Sequence, residues 1–159
     1  PQNVQEVFAR GSTQRISWTY HTGLPKAWRW KVQAQYLYNR ATNRKTKSPN
    51  DLSLGKQLIY TPIHQGSGIV EGNWGPWSLR WTNEWVGRRF FTTDNSNVLA
   101  PYYLQHARLQ WAHQRNNWDW QLSLRCQNIL NTEYESVATW AMPGRYFELG
   151  ITVQQLFKN

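Results

Sequence analysis

The side chains in this sequence that could do chemistry are four histidines, nine carboxylates and one cysteine, and their spacing matches no established site pattern. His21, His64, His106 and His113 lack the i, i+4 pairing that lets two imidazoles reach one metal from a helix. They read as plain polar strand positions. Cys126, being alone, closes no internal disulfide and supplies no Cys-based zinc site, so it reads as an apolar strand position. There is no Gly-rich phosphate loop, no Gly-x-Ser-x-Gly elbow and no pair of acids on neighbouring strands. Gly66-Ser67-Gly68 reads as strand flexibility. The expectation is no catalytic residue, no metal and no cofactor: a non-enzyme.

What remains is charge. Lys and Arg number 18 against 9 Asp and Glu, a net charge of +9. Such an excess points to an anionic partner, with nucleic acid the first candidate. A single-strand binder needs cations and stacking aromatics on one face. Here Arg15, Arg29, Lys31, Arg80, Arg88, Arg108 and Arg125 take one parity of their segments and the aromatics the other, so nucleic acid is not the expected partner.

That parity defines the elements. Trp118, Trp120, Leu122, Leu124 and Cys126 alternate with Asp119, Gln121, Ser123 and Arg125; Trp28, Trp30, Val32, Ala34, Tyr36 and Tyr38 alternate with Arg29, Lys31, Gln33 and Gln35. Period two is the signature of a strand with unlike faces. Four more segments follow it less purely, around Ile16–Tyr20, Trp77–Trp85, Tyr103–Trp111 and Phe147–Val153. A seventh, Lys56 to Val70, is interrupted by Pro62, Gly66 and Gly68. Connections alternate too: Thr22–Lys26, Glu71–Pro76 and Gln114–Asn117 are short, while Asn39–Gly55, Thr92–Pro101 and Asn131–Pro143 are long.

No run of about 18 apolar residues exists, which excludes a transmembrane helix. A β-barrel stays open, because its strands alternate lipid-facing and lumen-facing residues and keep mean hydropathy low; the value is -0.75. Short turns on one side and longer loops on the other fit an outer-membrane barrel with periplasmic turns and extracellular loops. Trp28, Trp77, Trp111 and Trp118 flank the short turns, and Tyr38, Tyr60, Phe90, Phe91, Tyr103 and Phe147 lie toward the long loops, as two interfacial belts would. The first 22 residues lack a basic start and apolar core, so an exported protein would be represented here by a mature chain or a fragment. The rival from another class is a soluble Trp-rich β-sandwich that binds carbohydrate. It would bury one side of each strand behind mostly aliphatic residues.

From Leu58 to Val153 the chain resembles the C-terminal barrel segment of TonB-dependent outer-membrane receptors. The resemblance rests on Tyr60-Thr61-Pro62-Ile63-His64, Glu84-Trp85-Val86-Gly87, Gln127-Asn128-Ile129-Leu130-Asn131-Thr132-Glu133-Tyr134 and Pro143-Gly144-Arg145. Ile129-Leu130 stands where the family has Leu-Phe. Asn3-Val4 and Arg10-Gly11 are weaker hints in the first 55 residues. Phe157 keeps the parity of the last strand, as the terminal aromatic of such barrels does, although Lys158 and Asn159 follow it. The resemblance implies an all-β antiparallel transmembrane barrel, with residues 1–159 supplying about seven C-terminal strands of a 22-stranded wall and no plug domain. It implies uptake of a scarce nutrient such as a siderophore, cobalamin, glycan or peptide. Its implied partners are outer-membrane lipid, the remaining strands and plug, TonB through that plug, and the transported small ligand. Pro62, Asn128, Tyr134, Pro143, Gly144, Arg145 and Phe157 would be structural motif residues.

In such a barrel the polar-parity cations line the lumen. Arg29, Lys31, Arg80, Arg108 and Arg125 are the ligand-facing candidates, beside the plainer role of pairing with Asp119, Glu84, Glu148 and plug carboxylates. Arg40, Arg44, Lys45 and Lys47 fall in an expected extracellular loop, either solvated or in contact with lipopolysaccharide phosphates.

Overall fold

A computed structural model describes residues 6–21, 28–45 and 51–155. They form nine strands: β1 (Glu6–His21), β2 (Arg29–Lys45), β3 (His64–Trp74), β4 (Trp77–Val86), β5 (Arg89–Phe90), β6 (Val98–Leu99), β7 (Tyr102–Arg115), β8 (Trp118–Gln127) and β9 (Tyr146–Gln155). Seven make one sheet in the order β1-β2-β3-β4-β7-β8-β9, and β5 pairs with β6 in a small separate hairpin. Every pairing is antiparallel.

The register keeps the two parities apart across the whole sheet. One transverse row runs Tyr20, Trp30, Gly72, Leu79, Leu109, Leu124, Leu149, and the next Trp18, Val32, Val70, Trp81, Ala107, Cys126, Phe147. Paired residues point to the same side of a pleated sheet. Along these rows one face of the sheet is apolar from edge to edge. It is also uncovered. Ile16 is 74% exposed, Leu149 76% and Ile151 65%, and no large side chain is fully buried among the described residues. A sandwich would pack a second sheet here; among the described residues the buried apolar side chains are Ala41, Leu99 and Leu104, at the long-loop end.

The short connections are tight for local reasons. Trp74 pairs directly with Trp77 across Gly75-Pro76, with Gly75 at φ 53°. Arg115 pairs with Trp118 across Asn116 and Asn117, at φ 49° and 63°, as the mirror-image hairpin turn demands. At this end Trp28 stacks on Trp30 and on Trp74, with ring centroids 5.5 and 5.3 Å apart. The Thr22–Lys26 turn lies outside the described residues, as do Lys47 and Phe157.

Several boundaries differ from those read in the sequence. The expected loop Asn39–Gly55 begins later, because β2 runs on to Lys45 against β1, placing Arg40, Arg44 and Lys45 in a strand. Lys56–Pro62 is not strand: Tyr60 takes φ 55°, and the segment instead lies along the end of β2 through Leu58 N–H to Ala41 O at 2.8 Å and the Thr42–Gln57 bridge. β3 continues through Glu71 to Trp74, where a turn was expected. β4 stops at Val86, so Arg88 leaves the polar face of a strand, and Phe90 belongs to the β5–β6 hairpin rather than to a belt.

Candidate functional site on the polar face

The polar parity carries one transverse row that crosses six strands: Lys31, Glu71, Arg80, Arg108, Arg125 and Glu148. The register alone assembles it, since each residue is the direct partner of the next. Arg80 Nη1 lies 2.7 Å from Glu71 Oε1, and Arg125 Nη1 3.4 Å from Glu148 Oε2. Between these two pairs Arg108 faces a guanidinium on either side and has no carboxylate partner among the described residues. Its Nε is buried without a hydrogen bond. Like charges directly opposite each other weaken a strand pair, so this row holds an unsatisfied preference for an anion at its centre.

Rows on either side are polar and largely neutral. Arg15 donates to Gln35 Oε1 through Nη2 at 2.9 Å; Gln110 donates to Gln121, which donates to Asp119 Oδ2, both at 3.2 Å. Arg29 pairs with His21 and Asn73 in register, one row from Lys31. The five sequence candidates Arg29, Lys31, Arg80, Arg108 and Arg125 thus share one face, and the last three are contiguous. The expected acidic partners are only partly used. Glu148 pairs, but Asp119 takes a glutamine and Glu84 forms no ion pair among the described residues. Glu71 does the pairing instead, and sequence reasoning missed it by assigning it to a turn. Its shared parity with Asn73, two residues on, is the available signal.

At the long-loop end the motif residues bind one another. Asn128, at φ 50° and 3% exposed, accepts Thr132 N–H at 2.9 Å and donates to Thr132 O and Pro143 O. Asn131 Oδ1 accepts Arg145 N–H at 2.8 Å, and a Cβ on Gly144 would sit 2.8 Å from that oxygen, so a larger residue there must displace the Asn131 side chain from this bond. Pro62 is half-buried just before Ile63, whose carbonyl accepts Asn39 N–H at 2.8 Å. Tyr134 lies 4.7 Å from Tyr102, and burial, with Tyr102, Tyr146 and Glu84 nearby, raises its phenol above the ordinary value. Arg89, which the sequence did not single out, is 4% exposed, donates to Glu135 O at 2.9 Å and to Ala100 O, and lies 4.7 Å from the Tyr102 ring centroid. A recess of about 580 Å³ opens beside it, lined by Tyr102, Asn131, Glu133, Tyr134, Glu135 and Met142.

No family model and no curated protein matches this sequence. Solved structures do. The ferric citrate transporter FecA, in its unliganded form, superposes with a TM-score of 0.68 over 79% of this chain at 18% identity. BauA, the ferric preacinetobactin receptor from Acinetobacter baumannii, superposes with a TM-score of 0.60 over 92% at 12% identity. The fold is that of a sector of an outer-membrane β-barrel. The chain spans only 21% and 26% of the length of these two proteins, so it forms a sector of such a wall. In a wall of this fold the apolar parity is the outward face and the row around Arg108 the inward one. Both neighbours are transporters or receptors rather than enzymes.

Proposed function

We propose that this chain is the C-terminal part of the barrel of a TonB-dependent receptor that takes up a scarce nutrient across the outer membrane of a Gram-negative bacterium. The observation that carries the reading is the seven-stranded sheet with an uncovered apolar face on one side and the Lys31-to-Glu148 charged row on the other. Oily side chains at this exposure favour lipid by roughly 1.5 to 3 kcal/mol each when covered. Edge strands β1 and β9 each pair on one side only among the described residues. In hydrocarbon their open backbone groups would cost several kcal/mol apiece, so further strands complete the wall, and a plug occupies the lumen and couples to TonB.

Arg29, Lys31, Arg80, Arg108 and Arg125 give the lumen a positive field that draws in anionic groups, from the ligand or from the plug. Siderophore, cobalamin, glycan and peptide remain the ligand classes. The test is accumulation of labelled representatives of these classes by cells expressing the intact protein, with and without TonB. Accumulation of one class that disappears without TonB is expected. Uptake indifferent to TonB, or a protein found in the soluble fraction, overturns the proposal.

A further inference from the structure

The lipid-side parity carries no carboxylate in β1 from Val7 onward, nor in β2, β3, β4, β7, β8 or β9. It does carry cations, and they sit beyond the ends of the oily band. At the long-loop end of β1 and β2, Arg10 and Arg40 are direct register partners, one outward step past Ser12 and Tyr38. Arg44 follows on the same parity, with its guanidinium 4.5 Å from the Phe8 ring centroid. All three are exposed. Two arginines directly opposite on one face repel unless an anion lies between them, and no acid of their own face can do it.

Their height identifies the anion. Tyr38 belongs to the aromatic belt expected at the edge of the hydrocarbon. One further outward position is about 7 Å along the strand and less along the normal of a tilted wall. This places the guanidiniums at headgroup level, and guanidinium forks bind phosphate through paired N–H donors. Resting on the barrel reading above, we propose that Arg10, Arg40 and Arg44 form a lipid-side site for the phosphates of an outer-leaflet glycolipid. The occupant is the phosphorylated headgroup, held flat against the β1–β2 end, with Phe8 keeping Arg44 in place by its ring.

The test uses the assembled protein extracted from outer membranes in detergent and titrated with diphosphoryl lipid A, or its dephosphorylated form, in mixed micelles. Wild type should bind the diphosphoryl form at least about tenfold more tightly, since three guanidiniums then meet charged phosphates rather than neutral hydroxyls. The triple variant Arg10→Gln, Arg40→Gln, Arg44→Gln should lose that preference, while the triple Lys variant keeps most of it and Arg108→Gln, on the opposite face, keeps all of it. Equal binding of the two lipids by wild type, unchanged preference in the Gln variant, or equal loss in Arg108→Gln overturns the site but leaves the barrel reading intact. A protein that never enters detergent micelles overturns both.

Discussion

Asn128 closes five hydrogen bonds at once: its side chain makes three, to Thr132 and Pro143, its backbone N–H reaches His106 Nδ1 at 3.2 Å, and its carbonyl accepts Asn131 N–H at 2.9 Å. Asn128→Ala leaves the carbonyls of Thr132 and Pro143 and the Thr132 N–H without this partner. The expected loss is about 1 to 3 kcal/mol, read as a lower denaturant midpoint for the detergent-purified protein. Asp94 offers a pH test of the Thr92–Asn97 turn. The Ser96 backbone N–H, then the Thr92 and Ser96 hydroxyls, lower its carboxyl from 3.8 to about 2. A depressed folded value means that its contribution is complete above about pH 4 and vanishes as pH falls through about 2. Backbone amide exchange in this turn should therefore quicken between those limits, and Asp94→Asn should remove the dependence. The charged row makes a further prediction. Glu148→Gln strips Arg125 of its acid and costs at most about 1 kcal/mol, because the pair is well exposed. Arg108→Gln, by contrast, removes a like-charge opposition and should leave stability equal or slightly higher in the same denaturant titration.

Among the elements, the strands with two unlike faces were legible and the segments beyond them were not. Trp118–Cys126 and Trp28–Tyr38 announce themselves because one parity is apolar and the other polar. Toward the long-loop end that contrast fades. The strand from Arg40 to Lys45 is polar on both sides and is held by pairing to Glu6–Arg10 and to the 55–58 segment, a long-range arrangement with no local signal. The converse error at Lys56–Pro62 has the same root, for apolar Leu58 and Ile59 pack beside β2 without joining the main sheet. Of the site, the shared face of Arg80, Arg108 and Arg125 was readable from parity, but their contiguity depends on register, which sequence alone does not set. Gly87 belongs to this scale. Its N–H donates to His64 O at 2.9 Å, and an added Cβ would lie 2.6 Å from that oxygen. Gly87→Ala must push β4 away from the start of β3, a strain of about 1 to 3 kcal/mol. Faster protease cleavage near Val86–Arg88 should report it, whereas Gly75→Ala, with open space around it, disturbs only a turn at positive φ.

At the scale of the molecule, the question is which solvent each face meets. Leu124 is 48% exposed on the apolar side, between Leu109 and Leu149, whereas Gln121 lies on the polar side, between Ala112 and Thr152. In water the two positions would tolerate arginine about equally, since both faces of β8 present their side chains to solvent. In a membrane wall they must differ. Leu124→Arg puts a guanidinium among hydrocarbon tails and should cost about 2 to 4 kcal/mol near the midplane, while Gln121→Arg adds one more cation to a wet, already positive interior. The measurement is the fraction of each variant recovered as folded, heat-modifiable protein in outer membranes. A large deficit for Leu124→Arg alone is expected; equal recovery of the two variants would mean that the apolar face is covered by something other than lipid.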